Sequence, residues 1–227
     1  MRYKAILMDV DDTLFDFQAG NRNAVGLLLD EFGYFHPDRY AQYQAVNHAC
    51  WRLLEQGRMT QGELKLARWA RFFTLYNIQA DPARAAERFI NLLGGQSILL
   101  PHAEEVVRAI AARLPVLVLT NGITQVQKRR MAASPLRQYI AGMVISQEVG
   151  VSKPDPAIFR IALDRLGVGP RDALMVGDGI TSDVIGANRA GVDVCFYDPQ
   201  GRALPPGVHA EYRIVDLRQC VPIALAE

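Results

Sequence analysis

Long apolar runs are missing from this chain. The longest, such as Ala5 to Met8 and Val116 to Leu119, fall far short of the roughly 20 residues a membrane helix needs, so no membrane partner is expected. Cysteine is scarce. Cys50, Cys195 and Cys220 are unclustered and form no CxxC, which argues against a disulfide framework or a zinc site and fits reduced cytosolic thiols. Histidine is equally thin: His36, His48, His102 and His209 are scattered with no metal spacing. Net charge almost vanishes, since Lys+Arg 25 against Asp+Glu 24 leave +1. No field draws in polyanions, and a nucleic acid polymer is not an expected partner. Repeats and low-complexity segments are absent. The acidic cluster beginning at Asp9 leaves no room for a signal-peptide apolar region, so a cytoplasmic location is expected. What remains is ordinary for a folded protein: 227 residues, 50% hydrophobic and 22% charged. That length holds one large domain, or one domain with a smaller companion. Monomer and homodimer both stay open.

Several short apolar runs punctuate the chain. They are Lys4 to Met8, Pro115 to Leu119, Gly142 to Ile145, Ala173 to Val176 and Val192 to Tyr197. Each is near-continuous, as parallel strands are when helices cover both faces. Helical segments separate the later ones. His102 to Arg113 follows Pro101. Pro156 to Leu166 follows Asp155, an N-cap with proline at the first helical position. Ser182 to Ala190 ends at Gly191, which reads as a C-cap. Strand alternating with helix predicts an α/β fold, a doubly wound Rossmann-like parallel sheet core. Residues 17–94 carry no strand-like run. Thr60-Gln-Gly-Glu63 reads as a capping box, Asp81-Pro82 opens another helix, and Tyr40, Tyr43, Asn47 and Cys50 recur at helical spacing. A crossover needs only about a dozen residues. Residues 17–94 therefore read as an inserted all-helical domain, with 1–16 and 95–227 forming the core and Gly94-Gly95 a hinge between them.

Ligands bind outside the carboxyl ends of strands in open α/β sheets. Four consecutive strand ends carry chemistry here: Asp9-Val-Asp11-Asp12-Thr13, Thr120-Asn121-Gly122, Lys153-Pro154, and Gly177-Asp178 through Asp183. One such turn alone would be unremarkable; four at one sheet edge are hard to explain as turns. Asp9 and Asp11 stand two apart, so in extended chain both carboxylates face one pocket. Their repulsion favours a proton on one of them, which suits a nucleophile beside a general acid. With Asp178 added, a cation is needed, and oxygen-only ligands suggest Mg²⁺. Lys153, the Thr120 hydroxyl and the N-terminus of a helix starting after Asn121 would all favour an anion, with a phosphoryl group as the candidate.

This arrangement resembles the haloacid dehalogenase superfamily of phosphohydrolases. The family's DxDxT motif is matched by Asp9 to Thr13, its strand ending in Thr/Ser by Val116 to Thr120, its lysine by Lys153, and its GDxxxxD motif by Gly177 to Asp183. The resemblance spans the chain, and the helical insertion looks like the family's cap domain. It implies Asp9 as nucleophile, Asp11 as acid and base, and Thr120, Asn121 and Lys153 around the phosphoryl group. It also implies Mg²⁺ held by Asp9, Asp178 and the backbone carbonyl of Asp11, with Asp183 in the metal shell or orienting the lysine. Asp12 reads as a turn residue.

Within the superfamily, the opening motif, cap length and Thr-Asn-Gly resemble the pyrimidine 5′-nucleotidase branch. That implies a small phosphomonoester as substrate, a nucleoside monophosphate such as UMP, dUMP or dTMP. Of the cap aromatics Tyr40, Tyr43, Trp51, Trp69, Phe72 and Phe73, most are expected to pack the cap's own helices. Phe15 and Phe17, beside the pocket, are better candidates for touching a leaving group. A carbon–halogen hydrolase of the same superfamily would share Asp9 and Lys153 but usually lacks an acidic residue two after the nucleophile, so Asp11 weighs against it. A sugar-phosphate mutase stays open. A non-catalytic phosphate-binding module would have lost the nucleophile, the acid or the lysine, and none is missing.

Overall fold

The structure, a computed structural model, describes residues 1–56 and 58–226. The short apolar runs form β1 (Ala5–Met8), β2 (Val116–Thr120), β3 (Gly142–Ile145), β4 (Ala173–Gly177) and β5 (Asp193–Tyr197), and a sixth strand, β6 (Tyr212–Ile214), is added to those expected. Helices occupy the intervals: α1 (Phe17–Glu31), α2 (Arg39–Glu55), α3 (Gln61–Leu75), α4 (Pro82–Gly94), α5 (Ala103–Ala111), α6 (Thr124–Ala133), α7 (Ser146–Val149), α8 (Pro156–Leu166), α9 (Ile185–Ala190) and α10 (Cys220–Ala224). The strands make one sheet in the order β3-β2-β1-β4-β5-β6, and each neighbouring pair is parallel.

Alternation along each strand divides its side chains between two cores. Ile6, Met8, Val116, Val118, Leu174 and Val176 pack on one face with Val106, Val107 and Ile110 of α5. Leu7, Leu117, Leu119, Met175 and Val194 pack on the other with Ile158, Phe159 and Ala162 of α8 and Ala187 of α9. Both faces are thus covered, which is why the strands read as continuous apolar runs. The chain builds outward from β1 through β2 to β3, then returns to lay β4 on the other side of β1. Connections leave β1 and β4 in opposite directions, and it is at the carboxyl ends of such a switch point that ligands bind in open α/β sheets.

Local chemistry sets the helix ends. Asp155 accepts from the Ala157 N–H at 2.8 Å, and α8 stops at Gly167 in the left-handed region. The segment expected as one helix over Ser182 to Ala190 is two pieces. A π-helical turn, Ile180–Val184, precedes α9. In it the Gly179 carbonyl accepts from the N–H groups of both Asp183 and Val184, at 2.8 and 3.1 Å.

The chain divides into two compact units, Met1–Phe17 with Ser97–Glu227, and Gln18–Gln96. The second is helical. Thr60 and Glu63 form the reciprocal capping box at 3.2 and 2.8 Å, and Asp81 caps α4. Tyr43, Trp69, Phe72 and Phe73 are buried in this unit's own core, with Tyr43 stacked on Trp69 at 4.9 Å. Trp51 is exposed. Gly94 closes α4 and Gly95 caps it in a right-handed conformation. Among the described residues no helix is long and apolar enough to cross a membrane.

Candidate active site

The expected site residues all belong to the first unit, and those of the four motifs collect at the carboxyl ends of β1, β2 and β4. Asp9 is the first residue past β1, and its N–H bonds the Val176 carbonyl at 2.9 Å, so the sheet itself fixes its backbone. Lys153 reaches back under the β2 end, its side chain 1% exposed. Its ammonium donates to Asp9 Oδ1 at 2.5 Å, Asp183 Oδ1 at 2.6 Å and the Leu119 carbonyl at 2.8 Å. All three ammonium hydrogens are therefore engaged. Asp183 also accepts from the Gly179 N–H at 2.8 Å. A Cβ at Gly177 would collide with the Asp183 side chain, so this carboxylate can lie against the strand end only because residue 177 is glycine. Asp178 accepts from the buried Thr13 hydroxyl at 3.3 Å. Behind it, Arg202 donates to the Asp178 carbonyl at 2.9 Å and to buried Asp198 at 2.8 Å.

Asp9, Asp178 and Asp183 each offer an oxygen to one spot, all within 4.8 Å of one another. The Lys153 ammonium pairs with two of these carboxylates, Asp9 and Asp183, and the Arg202 guanidinium, 4.0 Å from Asp178, is shared with Asp198, so the donor set carries surplus negative charge and fits a hard divalent cation. The titration of these groups reflects that surplus. Burial pushes the Asp9 carboxyl up; the Lys153 charge opposes this, while those of Asp183 and Asp11 add to it. Burial raises Asp178 to about 6, helped by Asp183 and Asp12. Burial would lower Lys153, but the charges of Asp183 and Asp9 outweigh it and hold the ammonium above its ordinary range.

Other residues depart from the sequence-based picture. The Asp11 carboxylate turns to two side chains that sequence alone did not single out: Gln127, at 2.7 Å, and the guanidinium of Arg130. Thr120 is buried, and its oxygen accepts from the Gly122 N–H at 3.1 Å and from Gln127 at 3.3 Å. The Asn121 side chain exchanges two bonds of 2.8 Å with the Lys153 backbone, so it braces the lysine loop. The helix expected just after Asn121 begins at Thr124, whose N–H is taken by Gln147. Asp12 sits in the left-handed region, and its carboxylate accepts from the Phe17 N–H at 3.1 Å, capping α1. Phe15 corrects an expectation. It is 0% exposed in the core beneath Arg130, its ring centroid 4.6 Å from the guanidinium, and it has no surface to offer a leaving group. Phe17, half-buried, opens α1.

The family description "haloacid dehalogenase-like hydrolase" matches residues 3–191. Over 220 residues the chain is 32% identical to pyrimidine 5′-nucleotidase YjjG of Escherichia coli, with 96% of each protein covered. Pyrimidine 5′-nucleotidase PynA of Streptococcus pneumoniae is 31% identical over 227 residues, with 97% of this chain and 96% of PynA covered. Among solved structures, the magnesium-bound HAD-hydrolase YfnB of Bacillus subtilis superposes with a TM-score of 0.90 at 28% identity, covering 99% of this chain and 100% of that one.

Proposed function

We propose, since this chain belongs to the haloacid dehalogenase-like hydrolases, that it hydrolyses phosphomonoesters through an aspartyl phosphate on Asp9. The observation that carries this is the buried Asp9–Lys153–Asp183 chain of ion pairs with Asp178 beside it. Asp9 attacks phosphorus, splitting one difficult displacement into two easier ones. Lys153 follows the charge. As the Asp9 carboxylate becomes an acyl phosphate it turns into a poorer acceptor, and the ammonium hydrogen it held can move to a phosphoryl oxygen. Both acceptor positions of the Thr120 hydroxyl are filled by Gly122 and Gln127, which leaves its one hydrogen to donate to the same group. Asp11 protonates the leaving alkoxide, then takes a proton from the attacking water. Asp9, Asp178 and the backbone carbonyl of Asp11 would hold Mg²⁺, with Asp183 beside them, and the ion when bound supplies positive charge against that developing at phosphorus.

Similarity to YjjG and PynA supports a nucleoside 5′-monophosphate as substrate. The test is phosphate release from a panel of nucleoside monophosphates, sugar phosphates and short phosphorylated acids, with and without EDTA. Release confined to the nucleotides and abolished by EDTA is expected. A protein inert on the whole panel and on p-nitrophenyl phosphate would not be a phosphatase.

Two further outcomes follow from the geometry. Asp11→Asn lowers kcat/KM for a nucleotide by about 10²–10⁴-fold, the full general-acid contribution. For p-nitrophenyl phosphate, whose leaving group needs no proton, the loss is much smaller, and stopped-flow traces show a burst because the intermediate now hydrolyses slowly. Equal losses with no burst would refute the acid/base role.

The second outcome concerns pH. Asp178, raised to about 6, binds a proton more tightly folded than unfolded. Without metal, the stability it contributes is full below the ordinary carboxylate range and is lost as pH rises through about 6. Protons and cation compete for this carboxylate. The rise in unfolding temperature on adding Mg²⁺ should therefore be larger at about pH 7.5 than at about pH 5. A rise independent of pH would remove Asp178 from the metal site.

A further inference from the structure

Two polar side chains lie buried beneath the sheet edge where apolar ones would pack as well. Arg130 is 1% exposed and Gln127 is 2% exposed. Both project from α6, three residues apart and so on one face. Their donors converge on Asp11: Gln127 bonds Oδ2 at 2.7 Å and the Arg130 guanidinium pairs with Oδ1. The same Gln127 amide nitrogen reaches the Thr120 hydroxyl at 3.3 Å, and its oxygen faces Arg130 at 3.4 Å. Every polar atom of the Gln127 side chain is thus engaged. Arg130 is pinned from below by the Phe15 ring, 4.6 Å from its guanidinium. Gly122 makes room: a Cβ there would overlap the Gln127 side chain.

A buried ion pair is weak grounds for stability, because desolvation offsets the attraction. What this one does supply is orientation. A planar guanidinium and an amide fix both oxygens of a carboxylate, which a single point charge would leave free to turn.

We propose that Gln127 and Arg130 are positioning residues for the reaction. They hold the Asp11 carboxylate at the angle from which it serves the leaving group. Gln127 also ties that carboxylate to the hydroxyl that binds the phosphoryl group, so the acid and the anion site keep a fixed spacing. This rests on the assignment of Asp11 as acid and base.

The test uses Gln127→Met and Arg130→Lys, each alone and combined with Asp11→Asn. The substrates are p-nitrophenyl phosphate and phenyl phosphate, which differ in their need for a proton. Each single variant should shift the ratio of the two kcat/KM values by about tenfold or more against phenyl phosphate. In the Asp11→Asn background neither should shift it further, as expected for residues acting through one group. A purely structural role would depress both esters alike. Equal losses on both esters, or losses fully additive with Asp11→Asn, would overturn the proposal. Thermal unfolding shows whether each variant is folded, and the two positions keep the test decisive if one is not. A wild type inert on both esters would remove the phosphatase reading itself. An active wild type whose Asp11→Asn variant loses equally on both would remove the acid role.

Discussion

Asp9→Asn abolishes turnover, by at least about a thousandfold, and leaves the metal-free protein as stable as the wild type or more so. Asparagine keeps the shape and the backbone bond to Val176 but cannot form an acyl phosphate. The stability half follows from burial. The Asp9 carboxyl is held above its ordinary range, first by burial and against the pull of Lys153, so without metal the folded state binds a proton there more tightly than the unfolded state does. Wild-type stability without metal therefore falls as pH climbs out of the ordinary carboxylate range, and a neutral side chain escapes that loss. Lys153 still has Asp183 and the Leu119 carbonyl. Phosphate release and calorimetry in EDTA at neutral pH check both halves. Turnover above a few per cent of wild type would disqualify Asp9 as nucleophile. A much less stable variant would mean that Asp9 is needed for the fold.

Lys153→Met should cost both activity and fold. The ammonium is the shared partner of two buried carboxylates, and methionine leaves them facing each other with no ammonium between them. Removing one partner of a buried pair costs about 3–5 kcal/mol. In a domain of this size that is a fall of about 10 °C in unfolding temperature. Two rescues identify the cause. Asp183→Asn in the Lys153→Met background should recover part of the loss, because it removes one of the stranded charges. Saturating Mg²⁺ should do the same. An unfolding temperature within a degree or two of wild type would show that the carboxylates do not depend on the lysine.

The sheet was legible because five strands, buried on both faces, leave continuous apolar runs. β6 was not. Tyr212, Arg213 and Ile214 form an edge strand of three residues with a charged side chain in the middle, and such a pattern has no period to detect. The carboxylates, Thr120 and Lys153 were legible because chemistry at a strand end stands out against an apolar run. Gln127 and Arg130 lie within Thr-Gln-Val-Gln-Lys-Arg-Arg, where polar residues crowd the helix and look solvated. Only their three-residue spacing, aimed back at the sheet, distinguishes them. Phe15 misled for the opposite reason. It follows a motif in a turn, and nothing local says that the chain folds it inward under Arg130. Asn121 was expected beside the phosphoryl group, whereas its side chain bonds the Lys153 backbone, a contact that depends on a loop far along the chain.

The strand order also sets a timetable for biosynthesis. β1 is flanked by β2 and β4, so it can pair with nothing until Val116 onward has left the ribosome. At about 5–20 residues per second, the roughly 110 residues between them occupy about 5–20 seconds. During that wait Ala5–Met8 lacks both of its native strand partners, and unpaired apolar segments are prone to aggregate. The helices of Gln18–Gln96 make their contacts within a continuous segment, so they can gather in the interval. Asp178 and Asp183 emerge only after β4, so Asp9 stays chemically idle until about 170 residues beyond it have been made.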